Sequence, residues 1–238
     1  MQTITDILSS LFSENSELMK IIGVTLTMSF FSTVISAAIG LPLGVLLGSR
    51  DFRGKGALKR VLSTLMSLPP VVAGLLVFFL LSRSGPLGSL KLLYTVPAMV
   101  IAQVLLISPI IAGLSASMVS GISPRIRETA RGMGLSRARE LFCLVYECRA
   151  QLLSVVLTGF GRSLAEVGAV SIVGGNVQYK TRVMTTAIML ETNKGNFEFA
   201  VALGIVLLLI SFIINSAAIS LSERQVRRGE GRESRCAL

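Results

Sequence analysis

Long apolar stretches constrain the fold of this 238-residue chain more than any other feature of its sequence. Hydrophobic residues make up 52% of the chain and charged residues only 15%, whereas about a quarter of a soluble domain is charged. Five stretches, at about 18–48, 61–81, 96–119, 150–173 and 198–221, are each long enough to cross the roughly 30 Å hydrocarbon core of a bilayer as a helix. Because backbone polar groups cannot stay unpaired in lipid, the sequence predicts an all-α polytopic membrane protein with about five transmembrane helices.

The two ends of the chain differ from the membrane domain, which we place at 18–221. Residues 1–17 put apolar side chains on one helical face and lack the basic start and cleavage site of a secretory signal. They predict an interfacial N-terminal helix, with a frayed tail as the alternative. Residues 222–238 are basic and contain glycine, and we expect a disordered cytoplasmic tail.

Basic residues are segregated along the chain in a way that predicts its orientation. Sixteen of the 23 Lys and Arg residues lie at 50–60, 123–149 and 224–235, and six lie in the alternate connections. The positive-inside rule therefore places the C-terminus in the cytoplasm and the N-terminus outside. The remaining basic residue, Arg162, falls inside a predicted span. This segregation accounts for the net charge of +10 without a nucleic-acid partner, so none is predicted.

Small residues and proline interrupt the first predicted span. Gly40, Gly44 and Gly48 recur at every fourth position and predict a helix face for close contact with another helix. Simple tolerance of glycine in membrane helices is the alternative. Pro42 lies inside this stripe and is expected to kink the helix.

Two further features place polar or irregular chemistry within predicted spans. Pro69 and Pro70 remove successive backbone donors, and such a break persists in a bilayer only where it is buried in protein or faces a cavity. It predicts either a pathway-lining segment or a structural kink. Arg162 and Glu166 would share one face of a helix. Since an unpaired Arg at mid-membrane costs roughly 2.5–3.5 kcal/mol on insertion scales, we expect an ion pair, a place in the pathway, or both.

The longest polar interval between apolar stretches, residues 123–149, contains six Arg residues. Ser123-Pro124 is typical of a helix start, and Gly132 or Gly134 can end a helix in the left-handed conformation. The segment therefore predicts a hairpin of two short helices. The second helix is expected to turn four side chains towards apolar surroundings: Leu141, Phe142, Leu144 and Val145. An Arg-rich amphipathic hairpin of this kind favours a docking surface for another protein, and an ordinary loop is the alternative.

Catalytic and metal chemistry are not indicated. The chain has no His, no P-loop of the form GxxxxGK[ST], and no nucleophile–base constellation. Cys143, Cys148 and Cys236 lack metal-ligand spacing and predict free thiols in a reducing compartment. We therefore expect no enzyme activity in this chain alone, no metal and no cofactor. Without an internal repeat, five spans call for a second copy around a two-fold axis.

The hairpin resembles the EAA loop of bacterial ABC-importer permeases. Glu128-Thr129-Ala130 followed by Gly134 matches its first part, with Thr129 in place of the first Ala. Leu144 stands where that loop has Ile, and Tyr146-Glu147 stand where it has Leu-Pro, so the exit of the hairpin departs from the pattern.

A second segment, residues 159–177, resembles the molybdate/tungstate/sulfate branch of these permeases, as does the SLPPVVAG element that contains Pro69 and Pro70. The molybdate members of the branch have a related Gly-Arg-x-x-x-Glu-x-Gly-Ala pattern followed by a Gly/Asn turn. The matching positions here are Gly161, Arg162, Glu166, Gly168, Ala169 and Asn176. Residues 166–197 are most similar to tungstate permeases.

The resemblance implies a type I permease fold in a bacterial or archaeal inner membrane. Its implied partners are a second copy, two cytoplasmic ATPases that bind the ATP, and an external substrate-binding protein. It implies ATPase coupling through Glu128, Thr129, Ala130 and Gly134. It also implies a pathway or intramembrane ion pair that involves Arg162, Glu166, Pro69, Pro70 and Asn176. The expected substrate is an oxyanion, tungstate before molybdate, sulfate or a small organic solute. An ATPase-independent channel or carrier is the alternative of another class.

Overall fold

The computed structural model describes residues 15–236, so most of the N-terminal helix predicted at 1–17 lies outside the described residues. Within that range every regular element is a helix, which confirms the all-α prediction. The helices are α1 (Asn15–Ser49), α2 (Lys55–Met66), α3 (Pro70–Leu81), a 3₁₀ turn (Gly88–Leu90), α4 (Val96–Gly132), α5 (Arg137–Glu147), α6 (Arg149–Leu164), α7 (Gly168–Gly174), α8 (Met184–Asn193) and α9 (Phe197–Cys236).

Three of these helices are long and apolar enough to cross a membrane by themselves, at Glu17–Ser49, Val96–Ala130 and Phe197–Ser216. Two pairs pass the same test only together: α2 with α3, bent by 96°, and α5 with α6, bent by 61°. Each pair forms either a broken span or a re-entrant loop. The predicted number of five spans holds if both pairs cross the membrane.

Several predicted boundaries are wrong. The span predicted at 150–173 is two helices, because α6 ends at Leu164 and α7 begins at Gly168. Pro124 does not start a helix but lies inside α4, whose 37 residues accommodate the one backbone hydrogen bond that proline removes. The tail predicted to be disordered continues α9 up to Cys236. A short helix, α8, lies between α7 and α9.

The chain divides into two compact units that interleave along the sequence. The first unit contains the chain up to Val34 together with Leu68–Ile107 and Phe160–Ile213. The second unit contains Ile35–Ser67, Ser108–Gly159 and the chain from Ile214.

In the first unit, α3 and α7 pack so closely that glycine is required. A Cβ atom on Gly74 would lie 2.7 Å from Ala169 Cα. Two apolar clusters complete this unit. One joins α1, α8 and α9 through Leu18, Ile21, Met184, Ala187, Ala202 and Leu203. The other joins Met28, Met99, Val100, Val170 and Val183.

In the second unit, the glycine stripe of α1 lies against α4, as the sequence predicts. A Cβ atom on Gly44 would lie 2.6 Å from the Ala112 carbonyl oxygen, and one on Gly48 would lie 2.7 Å from Val119 Cβ. Pro42 lies within α1 without ending it. The core next to this contact contains Val45, Val119, Leu144, Cys148 and Leu152, so it anchors α5 and α6 to the same pair of helices.

Candidate functional site

The end of α4 and the start of α5 form the predicted hairpin. Gly134 adopts φ +68°, a backbone conformation that is strained for residues other than glycine. The Leu135 N–H donates to the Ala130 carbonyl at 2.9 Å, the bond that closes a Schellman-type helix end. The predicted break at Gly132–Gly134 is therefore confirmed, although the first helix is the end of a long one.

The Glu-Thr-Ala triplet lies on the last turns of α4. Glu128 and Thr129 are exposed, whereas Ala130 is buried and packs inwards. The Thr129 hydroxyl donates to the Arg125 carbonyl at 3.1 Å, so this side chain stays close to its own helix. The exposed Glu128 carboxylate is thus available to a partner.

One face of α5 differs from expectation. Leu144 is buried and Leu141 packs beside it, but Phe142 is 72% exposed and Val145 is exposed. Phe142 is exposed because it lies about 100° around the helix from Leu141, whereas Val145 lies at the edge of the buried face and is 38% exposed. Tyr146 stacks on Phe142 at 6.5 Å between ring centroids and adds to the exposed surface.

Arg127 connects three segments of the second unit. Its Nη2 donates to the carbonyl of Ser49, the last residue of α1. Its Nε lies 3.4 Å from Glu140 Oε1 on α5, and its Nη1 lies 3.7 Å from Asp51 Oδ2. Asp51 also accepts from Lys55 Nζ at 2.8 Å, and this bond, with the charges of Lys55 and Arg127, holds the pKa of Asp51 below its ordinary value.

In the first unit, Arg162 and Glu166 are brought together at the break between α6 and α7. Arg162 Nη2 lies 4.0 Å from Glu166 Oε2, with the Arg side chain 51% exposed and the Glu side chain 7% exposed. The shared helix face predicted for them is wrong, because Glu166 lies beyond the end of α6. Glu166 instead accepts from the Ala169 N–H at 3.3 Å at the start of α7.

The double proline lies close to this break. Pro69 precedes α3 and Pro70 is its first residue, where the missing N–H costs no helical hydrogen bond. A Cβ atom on Gly168 would lie 3.4 Å from Pro70 Cβ, so the start of α3 packs against the start of α7. The structure therefore brings the two proline positions and the Arg162–Glu166 pair into one region.

Asn176 belongs to a different group. It has φ +49°, and its Oδ1 accepts from Arg182 Nε at 3.3 Å. Arg182 Nη1 also binds Glu17 Oε1 at 2.8 Å, and Gln178 donates to the same carboxylate. Asn176 therefore stabilises the loop after α7, apart from Arg162 and Glu166.

A buried polar network beside Arg162 was not identified from the sequence. Gln103 Nε2 donates to the Ser163 carbonyl at 2.9 Å, and the Ser163 hydroxyl donates to Gln103 Oε1 at 2.8 Å. Ser32 Oγ lies 2.9 Å from Ser163 Oγ. Gln103 is a second donor to the Ser163 carbonyl, which also accepts from the Glu166 N–H at 3.4 Å just beyond the end of α6. The available signal was Gln103 itself, an amide within an apolar stretch.

Among the residues whose side chains are described, Cys143 is an exposed free thiol and Cys148 a buried one. No group of His, Cys, Asp and Glu in that part of the chain could hold a metal ion.

A family model described as "Binding-protein-dependent transport system inner membrane component" matches residues 40–228. The Tungstate uptake system permease protein TupB of Peptoclostridium acidaminophilum is 42% identical over 213 residues, which cover 90% of this chain and 93% of that protein. The protein of the same name in Campylobacter jejuni is 40% identical and covers 86% of each chain. A Probable anion ABC transporter permease protein of Haloferax volcanii is 39% identical, over 90% of this chain and 95% of that protein.

Relatives named for the transport of sulfate or molybdenum are more distant. The Sulfate transport system permease protein CysT of Escherichia coli is 27% identical over 91% of this chain and 81% of its own length. The Molybdenum transport system permease protein ModB of Azotobacter vinelandii is also 27% identical, over 84% of this chain and 92% of its own length.

Solved structures show the same fold. A chain of a bacterial ABC transporter that imports the acidic polysaccharide alginate superposes with a TM-score of 0.72 at 20% identity, over 92% of this chain and 83% of that chain. The inward-facing MetNI methionine ABC transporter gives a TM-score of 0.69 at 18% identity, over 87% and 95%. The architecture is therefore the type I permease fold predicted from the hairpin. Since the family model covers most of the chain and several relatives are about 40% identical, this protein belongs to the inner-membrane permeases of binding-protein-dependent ABC importers.

Proposed function

We propose that this permease carries an oxyanion in an ATP-driven importer and that the oxyanion is tungstate. One observation carries the substrate assignment. The chain is 42% and 40% identical to two tungstate permeases, but between 26% and 30% identical to sulfate and molybdenum permeases. The second candidate is the same transport class with another oxyanion, favoured by the 39% identity to a permease described only as an anion transporter.

The complex that we propose contains two copies of this chain, two cytoplasmic ATPases and an external substrate-binding protein. The sequence has no P-loop, so a partner must bind and hydrolyse the ATP. The exposed Glu128 and Thr129 on the end of α4 fit the role of the ATPase contact. Gly134 provides the turn behind them, and Ala130 packs that turn against the permease.

Charge supports the orientation that we propose, with the N-terminus outside and the hairpin and C-terminus in the cytoplasm. The second unit contains all sixteen basic residues of the segments predicted to be cytoplasmic. The first unit contains the six predicted to be external, together with Arg162. Each compact unit thus carries one set of charges, which is the distribution that the positive-inside rule describes.

The translocation pathway that we propose borders the break between α6 and α7. Arg162 can attract an anion because its side chain is half exposed, and Glu166 at 4.0 Å keeps that attraction weak enough for release. Pro69 and Pro70 border the same region at the start of α3. Asn176, held by Arg182, is assigned to the outer end of the pathway.

The proposal is tested at the ATPase contact by replacing Glu128 with Ala. We expect the affinity for the ATPase to fall roughly tenfold, as for an interface residue worth about 1–2 kcal/mol. Membrane insertion should not change, because the side chain is exposed. Co-purification from detergent measures the effect. Glu198→Ala, which removes an exposed carboxylate in the first unit, is the matched control. Equal ATPase recovery with both variants would contradict the assignment of Glu128.

A further inference from the structure

Arg127 occupies a junction that no feature of the sequence pattern had singled out. Ser49 ends α1, so its carbonyl has no partner from its own helix and lies at the negative end of the helix dipole. The Arg127 guanidinium donates to that carbonyl from α4. A positively charged donor is favoured at this position for both reasons.

The same guanidinium also balances a partly buried carboxylate on α5. The Glu140 side chain is only 25% exposed, and among the described residues its ion-pair partner is Arg127. Asp51, in the turn after α1, is 82% exposed and shares its charge with Lys55. Glu140 therefore depends on Arg127 more than Asp51 does.

The chemistry of arginine suits this position. Its planar guanidinium carries five N–H donors in a fixed fork and can bind several acceptors at once. Lysine presents a single compact charge on a flexible stem and would reach one of the three acceptors well. A neutral side chain would leave the Ser49 carbonyl and the Glu140 carboxylate without their partner.

Position along the helix gives the junction its importance. Arg127 directly precedes Glu128, and successive residues of a helix point in directions about 100° apart. Glu128 is exposed, while Arg127 is partly buried and turned towards α1 and α5. One turn of α4 therefore presents an outward-facing carboxylate and an inward-facing link to two other helices.

We propose that Arg127 is a positioning residue that locks the ATPase-facing end of α4 to the end of α1 and the start of α5, so that motion of the hairpin is transmitted to both helices. This rests on the proposed function for its role in transport, whereas the lock itself is a property of the permease alone. Without it, the end of α4 can move while α1 and α5 stay in place, so ATP is hydrolysed without transport.

The first experiment measures the substrate transported per ATP hydrolysed by the reconstituted complex, for wild type and for Arg127→Ala, Arg127→Lys and Glu140→Gln. We expect the ratio to fall roughly tenfold with Arg127→Ala, the change expected for losing a charged hydrogen bond, and less with the other two. ATPase co-purification should stay within about twofold of wild type. The control, Arg53→Ala, removes the same charge from an exposed position in the turn after α1 and should behave as wild type.

Two results would overturn the proposal. A ratio with Arg127→Ala equal to that with Arg53→Ala would show that the junction transmits nothing. Loss of ATPase binding with Arg127→Ala would show that Arg127 contacts the ATPase directly. If Arg127→Ala fails to fold, the proposal is judged from the substrate transported per ATP hydrolysed by Arg127→Lys and Glu140→Gln. Wild-type ratios for both variants would contradict the lock.

A second measurement separates the lock from the proposed function. Hydrogen exchange of the purified permease should become faster in Arg127→Ala at the end of α1, the end of α4 and α5 together, and unchanged in Arg53→Ala. Unchanged exchange in all three segments would overturn the lock even if the complex transports normally. If the wild-type complex does not transport substrate, the proposed function is wrong. Hydrogen exchange of the purified permease still tests the lock in that case.

Discussion

At the scale of single residues, the polar groups of the first unit are arranged around one helix end. Gln103 and Ser163 exchange two hydrogen bonds in a fully buried position, which fixes the last turn of α6. Arg162 lies next to Ser163 in that turn, so the network also fixes where the guanidinium can reach. A buried network of this kind stabilises the site only while each member is satisfied.

Replacing Gln103 with Leu should therefore destabilise the permease by about 1–2 kcal/mol, because the Ser163 carbonyl and hydroxyl each lose one buried hydrogen bond. The bonds of Ser163 to the Glu166 N–H and to Ser32 remain. Gln151→Leu, at an exposed position of α6, is the matched control and should have little effect. Thermal unfolding in detergent measures both. Equal unfolding midpoints for Gln103→Leu and Gln151→Leu would show that the network contributes nothing to stability.

A separate prediction concerns the contribution of the Arg162–Glu166 pair to the stability of the permease. Arg162→Ala leaves a buried carboxylate without its counter-charge and should cost about 1–2 kcal/mol, between the values for exposed and buried ion pairs. Adding Glu166→Gln should recover that loss, because a neutral amide oxygen can still accept from the Ala169 N–H. The same unfolding measurement applies. A double variant no more stable than Arg162→Ala would contradict the neutralising role of Glu166.

At the scale of helices, the close contact between α1 and α4 depends on glycine. Gly44→Leu should destabilise the protein by about 1–3 kcal/mol or more, because even its Cβ atom would lie 2.6 Å from the Ala112 carbonyl oxygen. Gly23→Leu makes the same exchange in α1 where no atom lies within 4 Å, and should be tolerated. The yield of monodisperse protein after extraction compares the two. A yield with Gly44→Leu as high as with Gly23→Leu would contradict the close packing.

The lengths of the apolar stretches allowed most long helices to be predicted, and the glycine spacing predicted a close contact between α1 and another helix without identifying α4. The break between α6 and α7 was not predicted from the apolar stretch at 150–173, and the last turn of α6 is bound by Gln103, which lies 60 positions away in the sequence. The helix start predicted at Pro124 was wrong for a local reason. Ser-Pro is typical of a helix start, yet a long helix tolerates proline in its interior when surrounding groups satisfy the freed carbonyl.

At the scale of the whole molecule, the candidate site was partly predictable. The Glu-Thr-Ala triplet and Gly134 were identified from a short pattern, because the turn at Gly134 depends on local backbone geometry. Arg127 and Gln103 were missed, because their roles come from partners distant in the sequence. The orientation that we propose rests on the charge pattern of the sequence, and the two compact units divide the basic residues in the same way.

The central claim, that this permease couples tungstate uptake to ATP, is tested most directly by ATP hydrolysis in proteoliposomes. The permease is reconstituted with its ATPase and with the binding protein loaded with tungstate, molybdate or sulfate at equal concentration. We expect tungstate to stimulate hydrolysis most strongly. Stimulation by another oxyanion alone would contradict the substrate, and a permease that transports without the ATPase would contradict the claim as a whole.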